Sequence, residues 1–341
     1  MGTCSRSRHL DPSLDAHLTP RRQTGAGRCG FPAFSRRSWL AGCAAWMAAG
    51  LVGTHRSVFA QQPGAAPGTV SQPLLAIARG GVPAAATRAA LAALGGIERF
   101  VGRGTTVVIK PNIGWDRTPE QGANTHPAVV ATLVTLAQEA GAKRVRVMDH
   151  TCNNPRRCYS RSGIEAAARA AGADVIHLLD GRGIEMRIGG ETLSHWPVHR
   201  EVVEADVLIN APVAKHHSLT QSSLGMKNWL GAVDGRRAQL HQEIGKVCVD
   251  LAAFFKPQLT VLDATRLLLR NGPQGGNLED VAHPHTVAAG SDPVAIERFG
   301  AQLFELSEET MPHIARAQAR GLGRAVLEEH ERIMVDLAAA E

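Results

Sequence analysis

Residues Thr105–Asn112 read TTVVIKPN, a β-branched run that ends in lysine, proline and asparagine. Such a run predicts a strand over Thr105–Lys110, and the polar residues indicate where the chain leaves the sheet. Similar runs alternate with alanine-rich helical stretches, and they predict six more strands: Leu74–Ala78, Arg144–Asp149, Asp174–Leu178, Asp206–Asn210, Leu259–Asp263 and Thr286–Ala289. This alternation predicts an α/β fold with a mostly parallel or mixed central sheet flanked by helices.

Three stretches between these strands carry apolar residues at helical spacing: Pro127–Ala140, Gly163–Ala171 and Ile244–Phe255. Residues 61–73 are rich in Gln, Gly, Pro and Ala, which is typical of a linker. No internal repeat follows them. We therefore expect one α/β domain over residues 74–341, with a small lobe built from residues 180–200 and the C-terminal helices.

The first 60 residues have the pattern of an export signal. Arg36-Arg37 precedes an apolar run to Gly53, and the small-residue segment Ser57–Ala60 follows. This order predicts a twin-arginine (Tat) signal peptide, hence passage through the Tat translocase to the periplasm. An apolar run of about fifteen residues is too short for a stable membrane anchor. Glycines in the run disfavour the alternative interpretation, a helix of the fold itself.

Charge and cysteine content argue against two classes of protein, nucleic-acid-binding proteins and disulfide-stabilised scaffolds. The whole chain has 37 basic and 31 acidic residues, but residues 1–60 hold eight of the basic and two of the acidic ones. The remainder therefore has 29 of each and no net charge. This balance argues against nucleic-acid binding. Three of the six cysteines lie beyond residue 60, too few for a disulfide scaffold.

Ionisable residues lie at or just past the ends of four predicted strands. Lys110, Asp149 and Asp263 each end a strand, and Lys215-His216-His217 follows the strand Asp206–Asn210. Ligands of open α/β sheets bind at the carboxyl ends of the strands. If the four strands are parallel, these residues meet in one crevice; if some are antiparallel, they divide between the two ends of the sheet.

The segment Lys215–Gly231, KHHSLTQSSLGMKNWLG, follows one of these strands. Its Ser/Thr/Gln content predicts a loop, with Ser222 or Ser223 as the N-cap of a short helix that carries Lys227. A helix N-terminus beside a lysine suits a phosphate or a carboxylate. We expect His217 to transfer protons or bind metal and Lys227 to anchor an anion. The alternative is that the hydroxyls cap turns and that Trp229 fills the core.

Another set of residues has metal-ligand chemistry. Asp149-His150-Thr151-Cys152 is followed by Cys158, and His216 approaches from a neighbouring strand end. Imidazole and thiolate groups suit nickel, iron, zinc or copper. The predicted metal ligands are His150, Cys152, Cys158 and His216. Two alternatives remain open: a Cys152–Cys158 disulfide, which an oxidising periplasm permits, or two free thiols.

The glycine-rich loop Asn271–Gly276 either approaches a ligand with its backbone or makes a tight turn. It lacks the lysine and hydroxyl of a phosphate-binding P-loop and the spacing of a dinucleotide fingerprint. A G-x-S-x-G nucleophile elbow is also absent from the sequence.

Five motifs in order resemble the domain of unknown function 362 family: KPN at 110–112, THP at 125–127, HSLT to LGMKNWLG at 217–231, NGPQGG at 271–276 and DPVA at 292–295. The family has no settled activity. Some members carry ferredoxin-type iron–sulfur motifs, but this chain has no C-x-x-C run, so an iron–sulfur cluster is not expected. The expected cofactor-binding residues are Lys110, Asn112, His126, Lys215, Asn228, Asp263, Asn271, Gly272 and Gly275.

His217 and Lys227, ten residues apart, also resemble the central motif of the lactate racemase family, which binds a nickel-pincer nucleotide. That resemblance implies a catalytic or metal-facing His217 and a cofactor-holding Lys227. The expected ligand is therefore a metal ion (nickel, iron or zinc) or an anionic nucleotide-like cofactor.

Two functions follow from these expectations. One is an exported enzyme of proton or electron transfer, of the oxidoreductase or racemase/isomerase type, with His217, Lys227 and Asp149 as catalytic residues. The other is a periplasmic binding or accessory protein that holds an anionic small molecule or metal in the same crevice without turnover.

Overall fold

The computed structural model describes residues 73–338. The predicted twin-arginine signal and residues 61–72 of the predicted linker lie outside the described residues.

An eleven-stranded mixed sheet forms the centre of the fold. Its strands are β1 (Leu75–Arg79), β2 (Thr106–Pro111), β3 (Arg144–Asp149), β4 (Asp174–His177), β7 (Val207–Ala211), β8 (Val213–His217), β9 (Gln221–Ser223), β10 (Leu259–Leu268), β11 (Val281–Ala282), β12 (Thr286–Gly290) and β13 (Arg332–Asp336). All seven predicted strands are present within a few residues of their predicted ends. The longest departure is β10, which continues five residues beyond Asp263.

Strand order along the sheet is β13-β1-β12-β10-β7-β2-β3-β4. The five strands from β10 to β4 are parallel, whereas β12 is antiparallel to both of its neighbours, β1 and β10. In the register of β2 and β7, Lys110 lies opposite Asn210. The mixed sheet predicted from sequence is therefore confirmed, and its four strands with polar ends are parallel neighbours.

Eight α-helices accompany the strands in the described part of the chain: α1 (Pro83–Ala93), α2 (Pro127–Glu139), α3 (Pro155–Arg161), α4 (Ile164–Ala170), α5 (Arg200–Val203), α6 (Ile244–Phe255), α7 (Pro293–Gln302) and α8 (Pro312–Ala319). Proline occupies the first turn of α1, α2, α3, α7 and α8, where its missing N–H is not needed. At the start of α7, the Asp292 side chain accepts the backbone N–H groups of Val294 and Ala295.

Alternate residues of the central strands face two separate hydrophobic clusters. Val107 and Ile109 of β2 belong to the cluster that includes buried residues of α1, α2, α3 and α4. Val108 belongs to the cluster that includes α6, α7 and α8. Because side chains alternate across a strand, the sheet is covered on both faces, and its centre is buried as a parallel sheet requires.

Residues between β4 and β7 form a separate two-stranded antiparallel sheet of β5 (Ile184–Arg187) and β6 (His195–Val198). It lies within the segment predicted as part of a small lobe. Between residues 73 and 338, the structure contains no helix long and apolar enough to cross a membrane.

The segment that follows β7 differs from the prediction. Lys215, His216 and His217 belong to β8, and Ser222 and Ser223 belong to β9, which pairs antiparallel with β8. The prediction of a loop with a serine N-cap is therefore wrong, because strand pairing satisfies the backbone groups that a cap would otherwise serve. Lys227 begins a 3-10 helix, Lys227–Ala232, whose N-cap residue is Met226.

Candidate functional site

The carboxyl ends of β2, β3 and β7 meet, as parallel strands require, and place Lys110, Asp149 and Asn210 side by side. All three residues are buried. The 3-10 helix Lys227–Ala232 crosses above them and adds Asn228. Lys110 and Asp149, two of the groups predicted at strand ends, therefore meet, with the helix as their cover. Asp263, predicted to end a strand, lies within β10 instead.

Lys110 and Asp149 form a fully buried ion pair. Nζ of Lys110 lies 2.6 Å from Oδ1 of Asp149, and it also donates to the Asn228 side-chain oxygen at 3.1 Å. Oδ2 of Asp149 accepts the Ile113 backbone N–H at 2.6 Å. Burial lowers the pKa of Lys110, and the carboxylate of Asp149 opposes that effect. The pair therefore carries no net charge.

Gly231 permits the helix to approach this ion pair. A Cβ atom there would overlap Oδ1 of Asp149 and lie 2.8 Å from Nζ of Lys110. The Gly231 carbonyl also accepts the backbone N–H of His150. Only a residue without a side chain fits between the helix and the ion pair.

A chain of amides connects the ion pair to a second lysine. Asn228 donates to the side-chain oxygen of Asn210 at 2.8 Å and accepts from Asn112 at 3.1 Å. Asn112 in turn accepts from Nζ of Lys215 at 2.9 Å. Lys215 also donates to the Ala123 carbonyl, so its recorded partners are neutral oxygens. Burial lowers the pKa of Lys215 to about 7, with nearby lysines adding to the effect.

Lys227 is the third lysine of the site. Its side chain is buried, and Nζ has no hydrogen-bond partner among residues 73–338. Burial lowers the pKa of Lys227, and the nearby Cys248 and Cys152 partly oppose this lowering. An unpartnered buried amine is costly, because the group has given up water without replacing it.

His217 ends β8 beside these two lysines. Its Nδ1 accepts the Leu219 backbone N–H at 3.2 Å, and its ring stacks on His241 at 6.1 Å between centroids. Burial, followed by the charges of Lys227 and Lys215, lowers the pKa of His217 to about 3. The imidazole is therefore neutral near pH 7, with Nδ1 engaged by Leu219 and the ring proton on Nε2, from which it can be donated.

His126 and Asp263, both expected to bind a cofactor, form hydrogen bonds within the protein. Asp263 accepts from the His126 backbone N–H, from Thr265 and from the Arg266 guanidinium. His126 is the N-cap of α2, and its Nδ1 accepts the Ala128 N–H. Burial and the charge of Arg266 lower the pKa of His126 to about 4. The hydrogen-bonding groups of both residues are thus largely engaged within the protein.

The loop Asn271–Gly276 packs against β8 and the loop that follows β2. The Gly272 N–H donates to Nδ1 of His216 at 3.1 Å, and Asn271 donates to Asp280 at 2.7 Å. The Gly275 carbonyl accepts from the Arg117 guanidinium. These contacts favour the tight-turn interpretation over direct ligand contact.

The four predicted metal ligands do not come together. Cys152 is exposed, Cys158 is buried against the Gly114 carbonyl, and both thiols are free, so the disulfide alternative is not what the structure contains. Burial raises the pKa of Cys158 to about 11, which keeps it a thiol. His216 is engaged by the glycine loop, and His150 contacts His199. Within residues 73–338, no cluster of three or more ligand side chains includes either cysteine or His216.

Sequence reasoning missed five residues that the structure brings to or near the site: Asn210, Gly231, His199, Asp234 and His241. Asn210 ends a predicted strand, so its position at the sheet edge was a usable signal. No predicted strand ends at the other four positions, although Gly231 closes the motif LGMKNWLG and was a usable signal as well.

The chain has relatives among known proteins. The family model described as "Domain of unknown function (DUF362)" matches residues 107–302, more than half of the chain. A thylakoid-associated protein of Synechocystis sp. is 29% identical over 252 residues, which cover 72% of this chain and 77% of that protein.

Two solved structures are similar to the chain at low sequence identity. The lactate racemase apoprotein from Thermoanaerobacterium thermosaccharolyticum has a TM-score of 0.46 and 12% identity, over 68% of this chain and 57% of that one. A protein from Thermotoga maritima has a TM-score of 0.39 and 13% identity, over 60% and 55%. The chain thus spans just over half the length of these structures. On the family match, the protein belongs to the domain of unknown function 362 family.

Proposed function

We propose that this protein binds an anionic organic ligand or cofactor against Lys215 and Lys227, and that His217 transfers a proton to or from it. The function is that of a proton- or electron-transfer enzyme of the oxidoreductase or racemase/isomerase type. Asp149 holds Lys110 in place and is not a proton donor in this scheme.

The observation that carries the proposal is a pair of buried lysine amines without a counter-ion. Lys110 is neutralised by Asp149, but no ion pair among residues 73–338 involves Lys215 or Lys227. Within the same residues, Nζ of Lys227 has no hydrogen-bond partner. Buried charges are normally paired, and a bound phosphate or carboxylate would supply the missing partner.

His217 adds the chemistry. Its pKa of about 3 keeps the ring neutral at physiological pH. Because Nδ1 accepts the Leu219 N–H, Nε2 carries the ring proton and is the atom that would exchange it with a ligand. Once an anion offsets the charges of Lys227 and Lys215, the main electrostatic causes of the low pKa are reduced. Ligand binding should therefore raise the pKa of His217 toward its ordinary range, where proton transfer is efficient.

A nucleotide-like cofactor, with or without nickel, iron or zinc, fits the same side chains. The two lysines suit a phosphate or carboxylate, and the neutral imidazole of His217 suits a metal. When bound, such a cofactor would supply the hydride or electron chemistry. The residues of this chain would hold its anionic groups and move the proton.

The direct test compares Lys227→Met with Lys246→Met in full-length protein purified from native cells. Lys246 is a matched control, because its amine is exposed and pairs with Glu243 at 2.8 Å. Mass spectrometry of the released small molecules should show an anionic compound with the parent and the control, but little with Lys227→Met. Melting of Lys227→Met should stay at or above that of the parent, since the change removes an unpaired buried amine.

A second measurement separates catalysis from binding. His217→Gln should retain the anionic compound and lose turnover of it. Equal ligand content in Lys227→Met and Lys246→Met would show that the lysine does not anchor an anion. Bound ligand without turnover in the parent would favour the non-catalytic binding or accessory role.

We also propose export to the periplasm by the Tat translocase, on the basis of Arg36-Arg37 and the apolar run that follows. The double change Arg36→Lys and Arg37→Lys should leave the precursor in the cytoplasm in a fractionation experiment. Normal periplasmic delivery of that variant would contradict the proposal.

A further inference from the structure

A buried cluster of His150, His199 and Asp234 lies outside the lysine crevice. His150 directly follows β3, His199 precedes α5, and Asp234 follows the 3-10 helix Lys227–Ala232. Their exposed fractions are 4%, 1% and 3%. One ligand atom from each lies within 4.8 Å of the other two, and Nδ1 of His150 is 3.0 Å from Nε2 of His199.

Both ring nitrogens of His150 lie close to oxygen atoms. Nε2 lies 3.1 Å from a carboxylate oxygen of Asp180, and Nδ1 lies 3.2 Å from the Val233 carbonyl oxygen. A neutral ring has a single N–H and can donate to one of these acceptors. If Nε2 donates to Asp180, the lone pair of Nδ1 faces the Val233 carbonyl oxygen and Nε2 of His199, which lies 3.0 Å away. Either the His199 N–H or a bound cation can then meet that lone pair.

Asp180 is placed like the carboxylate that commonly accepts the second ring N–H of a metal-binding histidine. Metal-ligating histidines usually donate their second ring N–H to a carboxylate, which fixes the tautomer and orients the ring. With Nε2–H of His150 directed to Asp180, the lone pair of Nδ1 faces His199 and Val233. That is the orientation a metal ion requires.

The other two side chains also have atoms available for a metal. Nε2 of His199 lies 3.0 Å from Nδ1 of His150. The carboxylate of Asp234 accepts the backbone N–H groups of Gly183 and Gly235. Each oxygen of Asp234 accepts one such N–H and retains a further lone pair.

We propose that His150, His199 and Asp234 bind one divalent transition-metal ion of the zinc class, with the Val233 carbonyl available as a fourth ligand. Two imidazoles and a carboxylate suit Zn²⁺, and bonds of about 2.1 Å place tetrahedral ligands about 3.4 Å apart. On binding, separations of up to 4.8 Å would close by up to about 1.4 Å, and the His150–His199 pair, now 3.0 Å apart, would open by about 0.4 Å. With the Val233 carbonyl as the fourth ligand the coordination sphere is closed, as in a structural site.

The metal would connect three parts of the chain that pack at this point. His199 follows β6 of the small sheet, and Asp234 also holds the Gly183 N–H next to β5. His150 is adjacent to Asp149 of the crevice, and Arg237 donates to its carbonyl. The ion would therefore fasten the small sheet to the end of β3, beside the lysine crevice but separate from it.

Co²⁺ is the probe, added to the full-length protein after treatment with a chelator. The parent should bind one equivalent, show the intense visible bands of tetrahedral cobalt, melt at a higher temperature, and release the cobalt to Zn²⁺. His199→Gln should lose these effects. His195→Gln should retain them, because His195 is exposed on the same small sheet.

A second variant, Asp180→Asn, weakens the site without a risk of misfolding, because the Asp180 side chain is exposed and its change should not disturb the fold. Its affinity for Co²⁺ should fall by about 10–100-fold. Lys227→Met should bind Co²⁺ like the parent, so this test does not depend on the lysine crevice. The proposal is overturned if the parent binds no more Co²⁺ than His199→Gln, or if Asp180→Asn binds it as tightly as the parent.

Discussion

Replacing Lys110 with methionine tests whether Asp149 is primarily half of a structural ion pair. The amine and the carboxylate are 2.6 Å apart, with side-chain exposures of 0% and 2%. Lys110→Met keeps the volume of the side chain and removes its charge. Asp149 would then be a buried carboxylate with one remaining hydrogen bond in the structure, from the Ile113 N–H.

Loss of one partner from a buried ion pair costs about 3–5 kcal/mol, because the other charge is left uncompensated. For a chain of this size, each kcal/mol corresponds to about 2–4 °C in melting temperature. We therefore expect Lys110→Met to melt on the order of 10 °C below the parent. The double variant Lys110→Met/Asp149→Leu removes both charges and should recover most of this loss.

Urea unfolding followed by tryptophan fluorescence measures the change, because Trp229 is buried and stacks on Phe255 at 4.7 Å. Lys246→Met is the control, since its exposed ion pair should contribute less than about 1 kcal/mol.

Two results would refute this reasoning. A Lys110→Met variant within about 1 kcal/mol of the parent would mean that the pair behaves as an exposed one. A double variant much less stable than Lys110→Met would mean that packing, not charge, explains the loss.

Three further outcomes are expected. Gly231→Ala should destabilise the protein by about 1–3 kcal/mol in urea unfolding, since its Cβ overlaps Oδ1 of Asp149; parent-like stability would contradict this contact. The pKa of His217 is about 3 in the fold against an ordinary 6.5, so the unfolded chain binds the proton more readily. The free energy of unfolding should therefore fall as pH decreases from about 6.5 toward 3, and it should fall less steeply for His217→Gln in an acid titration. The same slope in the parent and in His217→Gln would argue against a lowered pKa for this histidine. In the native protein, iodoacetamide should modify exposed Cys152 much faster than Cys158, whose burial and raised pKa protect it; a linked pair in non-reducing peptide maps would contradict the free thiols.

Part of the fold could be predicted from the sequence because the signals were local. A run such as Thr105–Lys110 is β-branched whatever the rest of the chain does, and α6 was predicted over Ile244–Phe255 from apolar spacing alone. Polar residues at strand ends also carried information, because parallel strands bring their carboxyl ends to one edge. Lys110 and Asp149 were found that way.

For the segment Lys215–Gly231, local composition predicted the wrong secondary structure. Its polar composition predicted a loop, but β8 pairs with β10 and β9, and such pairing overrides the weak preference of serine and glutamine for turns. Sequence identified His217 and Lys227 as unusual, whereas only the fold shows that Nζ of Lys227 is without a hydrogen-bond partner in the described part of the chain.

Roles of individual side chains depended on contacts between distant parts of the chain. Lys110 meets Asn228 at a separation of 118 residues, and His150 meets His199 at 49. The amino-acid composition around these residues does not indicate that they meet. Local sequence patterns predicted strands such as β2 and β3, helices such as α2 and α6, and many of the residues with reactive chemistry, but not β8, β9 or the small sheet. Tertiary structure decided which of them are neutralised by a neighbour and which remain free to bind, because burial and charge pairing are properties of the assembled fold.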